Sequence, residues 1–364
     1  MSKILHVYRT HYPETQGGIE EHLRQLCRGL ARLGHESRIL TVSPQGPFVR
    51  EVEGTTVVAA RRLLEVSSTG LSLDFISRLR EQSRWADLVH YQFPWPMADL
   101  AQSLGVQKRP YIVSYQSDIV RQTLLEPLYR PLGQHFLAGA SAVVASTPVY
   151  ARSSPWLAQH QDRLHIIPLG LDDVSVDAQR VRHWRAEVGE DFFLFVGVLR
   201  YYKGLHLLID AARRQHRQVL IAGQGPLEGR LRAQARACPQ LRFLGAIDDA
   251  DKFALLSLAR AFVFPSHLRS EAYGLSLVEA AMMGKAMITS DMDSGPRWIN
   301  IHGQTGLSVK AGDSDDLLAA MQRLDGDADL AQRMGQAARA RYLDALHSEQ
   351  MCAAYARLYA QVGA

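Results

Sequence analysis

The sequence predicts an α/β protein built on two parallel sheets, each covered on both faces by helices. Short apolar runs of strand length alternate with amphipathic helical stretches, which is the pattern of such sheets. The alternation occurs twice, before and after His165–Asp173 (HIIPLGLDD), where Pro168 and Gly170 interrupt it. A chain of 364 residues, 47% apolar and 21% charged, can furnish two separate cores. The expected domains are therefore 1–168 and 169–346, with a terminal helix over 347–364.

In the first domain the strand candidates are Lys3–Tyr8, Glu36–Val42, Thr55–Ala60, Ala86–Gln92, Tyr111–Tyr115 and Ser141–Ser146. The second series comprises Phe192–Gly197, Gln218–Gly223, Leu241–Gly245, Ala261–Pro265 and Ala286–Ser290. Helical patterns separate most of these runs. A helical stretch from about Asp327 to Gly363 is long for the second domain alone. Internal repeats and low-complexity tracts are absent.

Composition narrows the function classes. No window approaches the ~18 consecutive apolar residues of a membrane span, and Lys3–Tyr8 enters a strand directly, without a signal-peptide core. Cys27, Cys238 and Cys352 have no metal-like spacing and leave an odd thiol, which fits a reducing cytoplasm. The formal charge of +4 lies wholly in the first half, with 18 Lys and Arg against 14 Asp and Glu through Gly170 and 23 against 23 beyond it. That asymmetry suits an anionic membrane surface or a diphosphate-linked acceptor, and ordinary surface variation also produces it. Without a basic run interleaved with aromatics, nucleic acid is not an expected partner.

Open parallel sheets bind ligands beyond the carboxyl ends of their strands, so the loops there are the candidate sites of chemistry. The loop after the first strand, Arg9–Gly18, ends in Gly17 and Gly18 at a helix start, where backbone amides can approach a phosphate or merely form a turn. After the second domain's first strand come Arg200 and Lys203, two cations suited to a departing diphosphate or to a solvated loop. The next loop, AGQGPLEGRL, contains Gly223 and Gly225 without G-x-G-x-x-G spacing, so it is not a dinucleotide fingerprint. Asp291 and Asp293 form a D-x-D at the end of a late strand.

The run SEAYGLSLVEAAMMGKAMITS is the most specific. Its helix, carrying Leu277, Val278, Ala280, Ala281 and Met282, is apolar almost all round and still contains Glu279. An ionised carboxylate buried there costs several kcal/mol unless it is paired. The partner is either a ligand hydroxyl or a protein group. The helix begins near Gly274 and Leu275, where free amides favour a phosphate, and Glu271 faces the same space. Two carboxylates and one helix start suggest a ligand that is part sugar and part phosphate.

This run resembles the E-x7-E motif of the retaining glycosyltransferases of the glycogen-synthase-like superfamily, family 4, and further matches cover nearly the whole chain. The resemblance implies the GT-B fold, two Rossmann-like domains facing across a cleft, with the terminal helix crossing back to the first domain. It implies that the first domain binds acceptor and the second the nucleotide-sugar. Glu271 would lie by the donor sugar, the amides of Gly274 and Leu275 would hold sugar and phosphate oxygens, and Glu279 would bind the ribose. Gly17 and Gly18 match the family's donor loop, and Gly223 and Gly225 its GxGP turn at the nucleotide. Lys203 would grip the diphosphate. Arg200 transfers less directly, because Val198 stands where the family places an arginine after glycine.

A second departure lies in YIVSYQSDIVRQ. Similar enzymes carry a histidine two residues before an aspartate, beside the donor sugar; here Gln116 replaces it and Asp118 is retained. Glutamine donates a hydrogen bond but takes no proton at neutral pH. His90, ending the neighbouring strand, is a further candidate or a structural residue. The resemblance implies same-face attack without a carboxylate nucleophile, the departing diphosphate taking the acceptor proton. It also implies a metal-independent reaction with no cofactor, the D-x-D included.

The runs SDIVRQ, VLRYYKGL and SGPRWIN resemble bacterial mannosyl- and rhamnosyltransferases that build O-antigen or similar surface polysaccharides. They imply GDP-mannose or GDP-rhamnose as donor and a lipid-diphosphate-linked glycan as acceptor. A UDP-hexose donor is the alternative, followed by a nucleotide-sugar 2-epimerase and a non-catalytic sugar-nucleotide-binding protein. The stripe Leu124, Leu125, Leu128, Leu132 and Phe136, with Arg121 and Arg130 nearby, suits either peripheral contact with the inner face of the cytoplasmic membrane or core packing. Pro127 and Pro131 are expected to break a continuous helix there.

Overall fold

The computed structural model describes residues 1–66, 69–118 and 126–363. They form two compact units, Met1–Asp172 with the chain from Ser348 on, and Asp173–His347.

In the first unit β1 (Lys3–Val7), β2 (Glu36–Ser43), β3 (Phe48–Val52) and β4 (Thr55–Arg61) precede a short hairpin, β5 (Leu64–Val66) and β6 (Thr69–Leu71). Then come β7 (Leu88–Phe93), β8 (Tyr111–Tyr115), β9 (Ala142–Ala145) and β10 (Leu164–Ile166). The sheet order is β10-β9-β8-β7-β1-β2-β4-β3, with only β3 antiparallel to its neighbour. The chain builds outward from β1 through β2, then crosses to the other side with β7. The β1/β7 boundary is thus the point where loops diverge and a crevice opens.

The second unit repeats the plan. Strands β11 (Phe193–Val196), β12 (Val219–Ala222), β13 (Leu241–Gly245), β14 (Ala261–Phe264), β15 (Ala286–Asp291) and β16 (Gly306–Lys310) lie in the order β13-β12-β11-β14-β15-β16, all parallel. This is the doubly wound Rossmann order, with its crevice between β11 and β14. Every residue of β7, β8, β9, β12 and β14 is buried, which is why these strands are predominantly apolar in the sequence, broken only by His90, Gln92 and Ser114.

Five strands escaped the sequence reading. β3 is a half-exposed edge strand without an apolar run. The hairpin β5–β6 is three residues a side, and β16 lies beyond the last expected strand, Ala286–Ser290. β10 overlaps the start of the interruption at His165–Asp173; it completes the first sheet by pairing with β9. The expected break at Pro127 and Pro131 is corrected as well, since one helix spans Glu126–Ala138. Pro127 occupies the first turn, where no amide donor is required, and one missing bond at Pro131 does not end the helix. Leu124, Leu125 and Arg121 lie outside the described residues.

The helix Ser348–Val362 belongs to the first unit. Met351, Cys352, Tyr355, Leu358 and Tyr359 pack into one core with Ile4, Leu26, Leu30, Leu88 and Ile112. It crosses the helix Gly18–Arg32 at Gly29, where an added Cβ would lie 2.1 Å from Cys352 Sγ. Asp172 anchors the preceding turn, receiving two hydrogen bonds from Arg32 at 2.9 and 3.1 Å.

Candidate functional site

In the second unit the crevice is built by the loops after β11 and β14. Lys203 leaves a short 3-10 turn, Tyr201–Lys203, and Glu271 follows β14 by seven residues. Lys203 Nζ donates to Glu271 Oε2 at 2.5 Å, and Ser266 Oγ donates to the same oxygen at 3.2 Å. Both charged side chains are about nine-tenths buried. The ammonium also sits 4.6 Å from the centre of the Phe264 ring, a cation–π contact that partly replaces its lost hydration. The two loops are drawn together at Gly204, whose φ of +69° suits glycine and whose Cβ would stand 2.0 Å from Pro265 O. The two residues expected to serve diphosphate and sugar therefore meet each other.

Glu279 has a protein partner. Lys252 Nζ donates to its Oε1 at 2.6 Å and to Asp249 Oδ1 at 2.8 Å. Burial works against the Lys252 ammonium, but the Glu279 and Asp249 carboxylates outweigh it and raise the pKa. Of the two partners considered for the buried carboxylate, the structure supplies the protein one. Lys252 stands 27 residues away on another helix, and no local motif announces it.

Gly274 caps the helix Leu275–Met282 with φ +95°, a backbone conformation that favours glycine. No side chain caps this helix start. Gly223 and Gly225 have a packing explanation. A Cβ at Gly223 would stand 2.1 Å from Gly197 O, and one at Gly225 would stand 2.6 Å from Leu199 N and O. They allow the loops after β11 and β12 to lie backbone against backbone. Arg200 is exposed, and no side-chain hydrogen bond or ion pair engages its guanidinium among the described residues; neighbouring Val198 is also exposed. Asp291 and Asp293 both pair with Arg297, at 3.3 and 2.8 Å.

In the first unit the glycine loop brings Gly17 to the N-cap and Gly18 to the first turn of its helix. The Glu20 carboxylate leans over this start, since a Cβ at Gly17 would lie 2.7 Å from Glu20 Oε2. Thr15 Oγ1 donates to Glu20 Oε1 at 2.8 Å. An acidic side chain thus already occupies part of the positive helix end.

Gln116 follows β8, and its backbone amide donates to Phe93 O at 3.0 Å, extending the β7–β8 ladder by one bond. Its Nε2 donates to Gln92 Oε1 at 2.6 Å. Asp118 accepts from Tyr115 Oη at 2.8 Å and Ser154 Oγ at 2.5 Å, while its backbone amide donates to Tyr150 Oη at 2.6 Å. His90 is fully buried within β7 rather than at its end, and burial holds its pKa well below the usual histidine range. Gln92, Ser266 and Lys252 are the partners the sequence reading missed. Only Gln92 left a signal, as the second of two polar residues spaced by two in an otherwise apolar strand.

Comparison with known proteins agrees with this architecture. The family model described as glycosyl transferases group 1 matches residues 179–341, and that described as glycosyltransferase family 4 matches 16–174. The D-rhamnosyltransferase WbpZ of Pseudomonas aeruginosa is 45% identical over 93% of the chain and 91% of the relative. The O-antigen chain mannosyltransferase C of Escherichia coli is 41% identical over 98% of both. Among solved structures, sucrose-phosphate synthase from Thermosynechococcus elongatus superposes with a TM-score of 0.80 at 21% identity, covering 100% of the chain and 99% of that structure. Anabaena HepE, in complex with UDP and glucose, gives 0.79 at 17%, covering 99% of the chain and 100% of that structure.

Proposed function

The chain belongs to glycosyltransferase family 4, and on that premise we propose that it moves mannose or D-rhamnose from a GDP-sugar to a lipid-diphosphate-linked glycan in O-antigen-type surface polysaccharide synthesis. The sugar assignment is supported by the two relatives at 45% and 41% identity, a D-rhamnosyltransferase and an O-antigen chain mannosyltransferase. The chemistry rests on one observation, the buried Lys203–Glu271 pair at the crevice of the second sheet.

In this reading Lys203 turns its ammonium toward the diphosphate as charge grows on the departing oxygen, and Glu271 accepts hydrogen bonds from sugar hydroxyls. Arg200, with no side-chain partner to release among the described residues, adds the second cation. The helix start at Gly274 and Leu275 supplies amides, Gly17 and Gly18 serve as the donor loop that they match in the family, and Gly223 and Gly225 border the nucleotide. Glu279 takes the ribose hydroxyls while Lys252 donates to its Oε1. Gln116 faces the donor sugar, and Asp118 holds the loop that carries it. The bond from C1 to the diphosphate breaks, the acceptor oxygen bonds C1 on the same face, and the acceptor proton passes to the departing phosphate oxygen. Configuration is retained, and these cations and amides do the work without metal or cofactor.

A peripheral site at the inner face of the cytoplasmic membrane is supported by a groove of about 460 Å³ in the first unit. Leu63, Leu64, Leu71, Leu73, Leu100 and Leu104 line it, and Leu73 is 85% exposed. Of the described residues of the stripe read from the sequence, Leu128 is 79% exposed and Phe136 is buried, so the groove offers the broader apolar face. No helix among the described residues is long and apolar enough to cross a membrane.

Calorimetric titration with GDP and UDP, followed by turnover of GDP-mannose and GDP-rhamnose on lipid-linked acceptor, tests the reading. Tight GDP binding and release of GDP only with acceptor are expected. Preference for UDP overturns the sugar assignment; interconversion of donors without acceptor favours the epimerase, and binding without turnover the non-catalytic protein.

A further inference from the structure

We propose that Gln92 positions Gln116, as the last link of a buried hydrogen-bonded chain that begins on the C-terminal helix. The proposal rests on the reading that Gln116 faces the donor sugar.

The chain runs through the first unit's core. Tyr359 Oη lies 2.9 Å from His90 Nδ1, and His90 Nε2 lies 2.7 Å from Ser114 Oγ, which is 2.7 Å from Tyr355 Oη. Gln92 Nε2 lies 3.3 Å from the same His90 Nε2, and Gln92 Oε1 accepts from Gln116 Nε2 at 2.6 Å. Tyr355, Tyr359, His90, Gln92 and Ser114 are each at most 2% exposed. Gln116 is the one half-buried member, so the chain leads from the core to the carboxyl ends of β7 and β8.

Donor and acceptor counting sets its direction. With the Gln92 carboxamide in this orientation its nitrogen can only donate, so His90 Nε2 is an acceptor, shared between Gln92 at 3.3 Å and the Ser114 hydroxyl at 2.7 Å. In a neutral imidazole the proton is then on Nδ1 and is donated to Tyr359 Oη. With its nitrogen committed to His90, Gln92 turns its oxygen to Gln116. Gln116 in turn commits one amide proton to Gln92 and keeps its second N–H and its Oε1 for another partner. Its backbone amide is fixed to Phe93, so main chain and side chain are both held. Either remaining group of the carboxamide can pair with a sugar hydroxyl. Packing alone gives no reason for this arrangement, because an apolar residue at 92 would bury as well without needing a partner.

A double-mutant cycle in the full-length enzyme tests the assignment, with kcat and KM for the GDP-sugar and GDP affinity measured for Gln92→Met, Gln116→Ala and the double variant. Gln92→Met should lower kcat about ten- to a hundredfold, as a displaced positioning contact does, with GDP affinity unchanged. In the Gln116→Ala background it should change kcat less than about twofold. A wild-type rate for Gln92→Met, or losses that multiply independently, overturns the positioning role while leaving Gln116 at the sugar. A wild-type rate for Gln116→Ala overturns that placement, and the role of Gln92 with it. Gln92→Asn keeps an amide in the core but out of reach of Gln116, and gives the same reading if Gln92→Met does not fold.

Discussion

Lys203 and Glu271 combine a structural debt with a chemical role. Each is the other's neutralising partner in a site about nine-tenths buried, so removing one leaves the other unpaired. Lys203→Met and Glu271→Leu are each expected to cost about 3 to 5 kcal/mol of stability and to lose turnover by orders of magnitude. The double variant Lys203→Met/Glu271→Leu should regain most of the stability and none of the activity, because a packed apolar pair removes the unpaired charge. Urea unfolding beside turnover separates the two effects; activity surviving in the double variant would remove the pair from the chemistry. At the second glutamate, Glu279→Gln should weaken GDP binding about tenfold or more, the effect of losing a charged acceptor. Unchanged affinity would contradict the ribose assignment.

Among the elements, the loops after β11 and β14 matter most, and one glycine lets them touch. Gly204→Ala meets both a left-handed φ and the Pro265 carbonyl, so the loops must separate and carry Lys203 away from Glu271. Its expected cost is about 2 kcal/mol or more in unfolding free energy, with a matching loss of turnover. Gly303 provides the control, since its φ of +77° is similar and nothing lies within 4 Å of its Cβ position. Gly303→Ala should lose about 1 kcal/mol and keep its activity. Equal behaviour of the two variants would show that the close approach at Pro265 is unimportant.

For the whole molecule, buried histidines set the acid response. Burial holds His6 down to about 3 and His22 to about 4, while in the unfolded chain both titrate near 6.5. The unfolded state therefore binds more protons below 6.5. The stability is fully present above that value and falls progressively as pH drops toward 4 and then 3. Asp99, pushed up to about 8 by burial, works in the opposite sense between 3.8 and 8. The diagnostic is consequently a difference: between pH 7 and 4.5 the urea midpoint of His6→Leu should fall less than that of the unsubstituted protein. Parallel pH profiles would show that His6 carries none of the acid sensitivity.

Much of this was legible in the residues. The alternation of runs determined two parallel sheets, because a strand covered on both faces is predominantly apolar, and the E-x7-E spacing brought Glu271 and Glu279 to one strand–helix turn. Strands with weaker signatures were not legible. β3 is half exposed and β10 is a short edge strand, so neither shows the run that full burial imposes. Tertiary structure alone decided the partners. Lys203 and Glu271 are separated by 68 residues, Glu279 and Lys252 by 27, Gln116 and Gln92 by 24, and His90 and Tyr359 by 269. Local periodicity reports which face a residue buries, but not which distant group meets it there. That choice follows from strand order and loop contact, and at this site it determines which charges are paired and where each amide points.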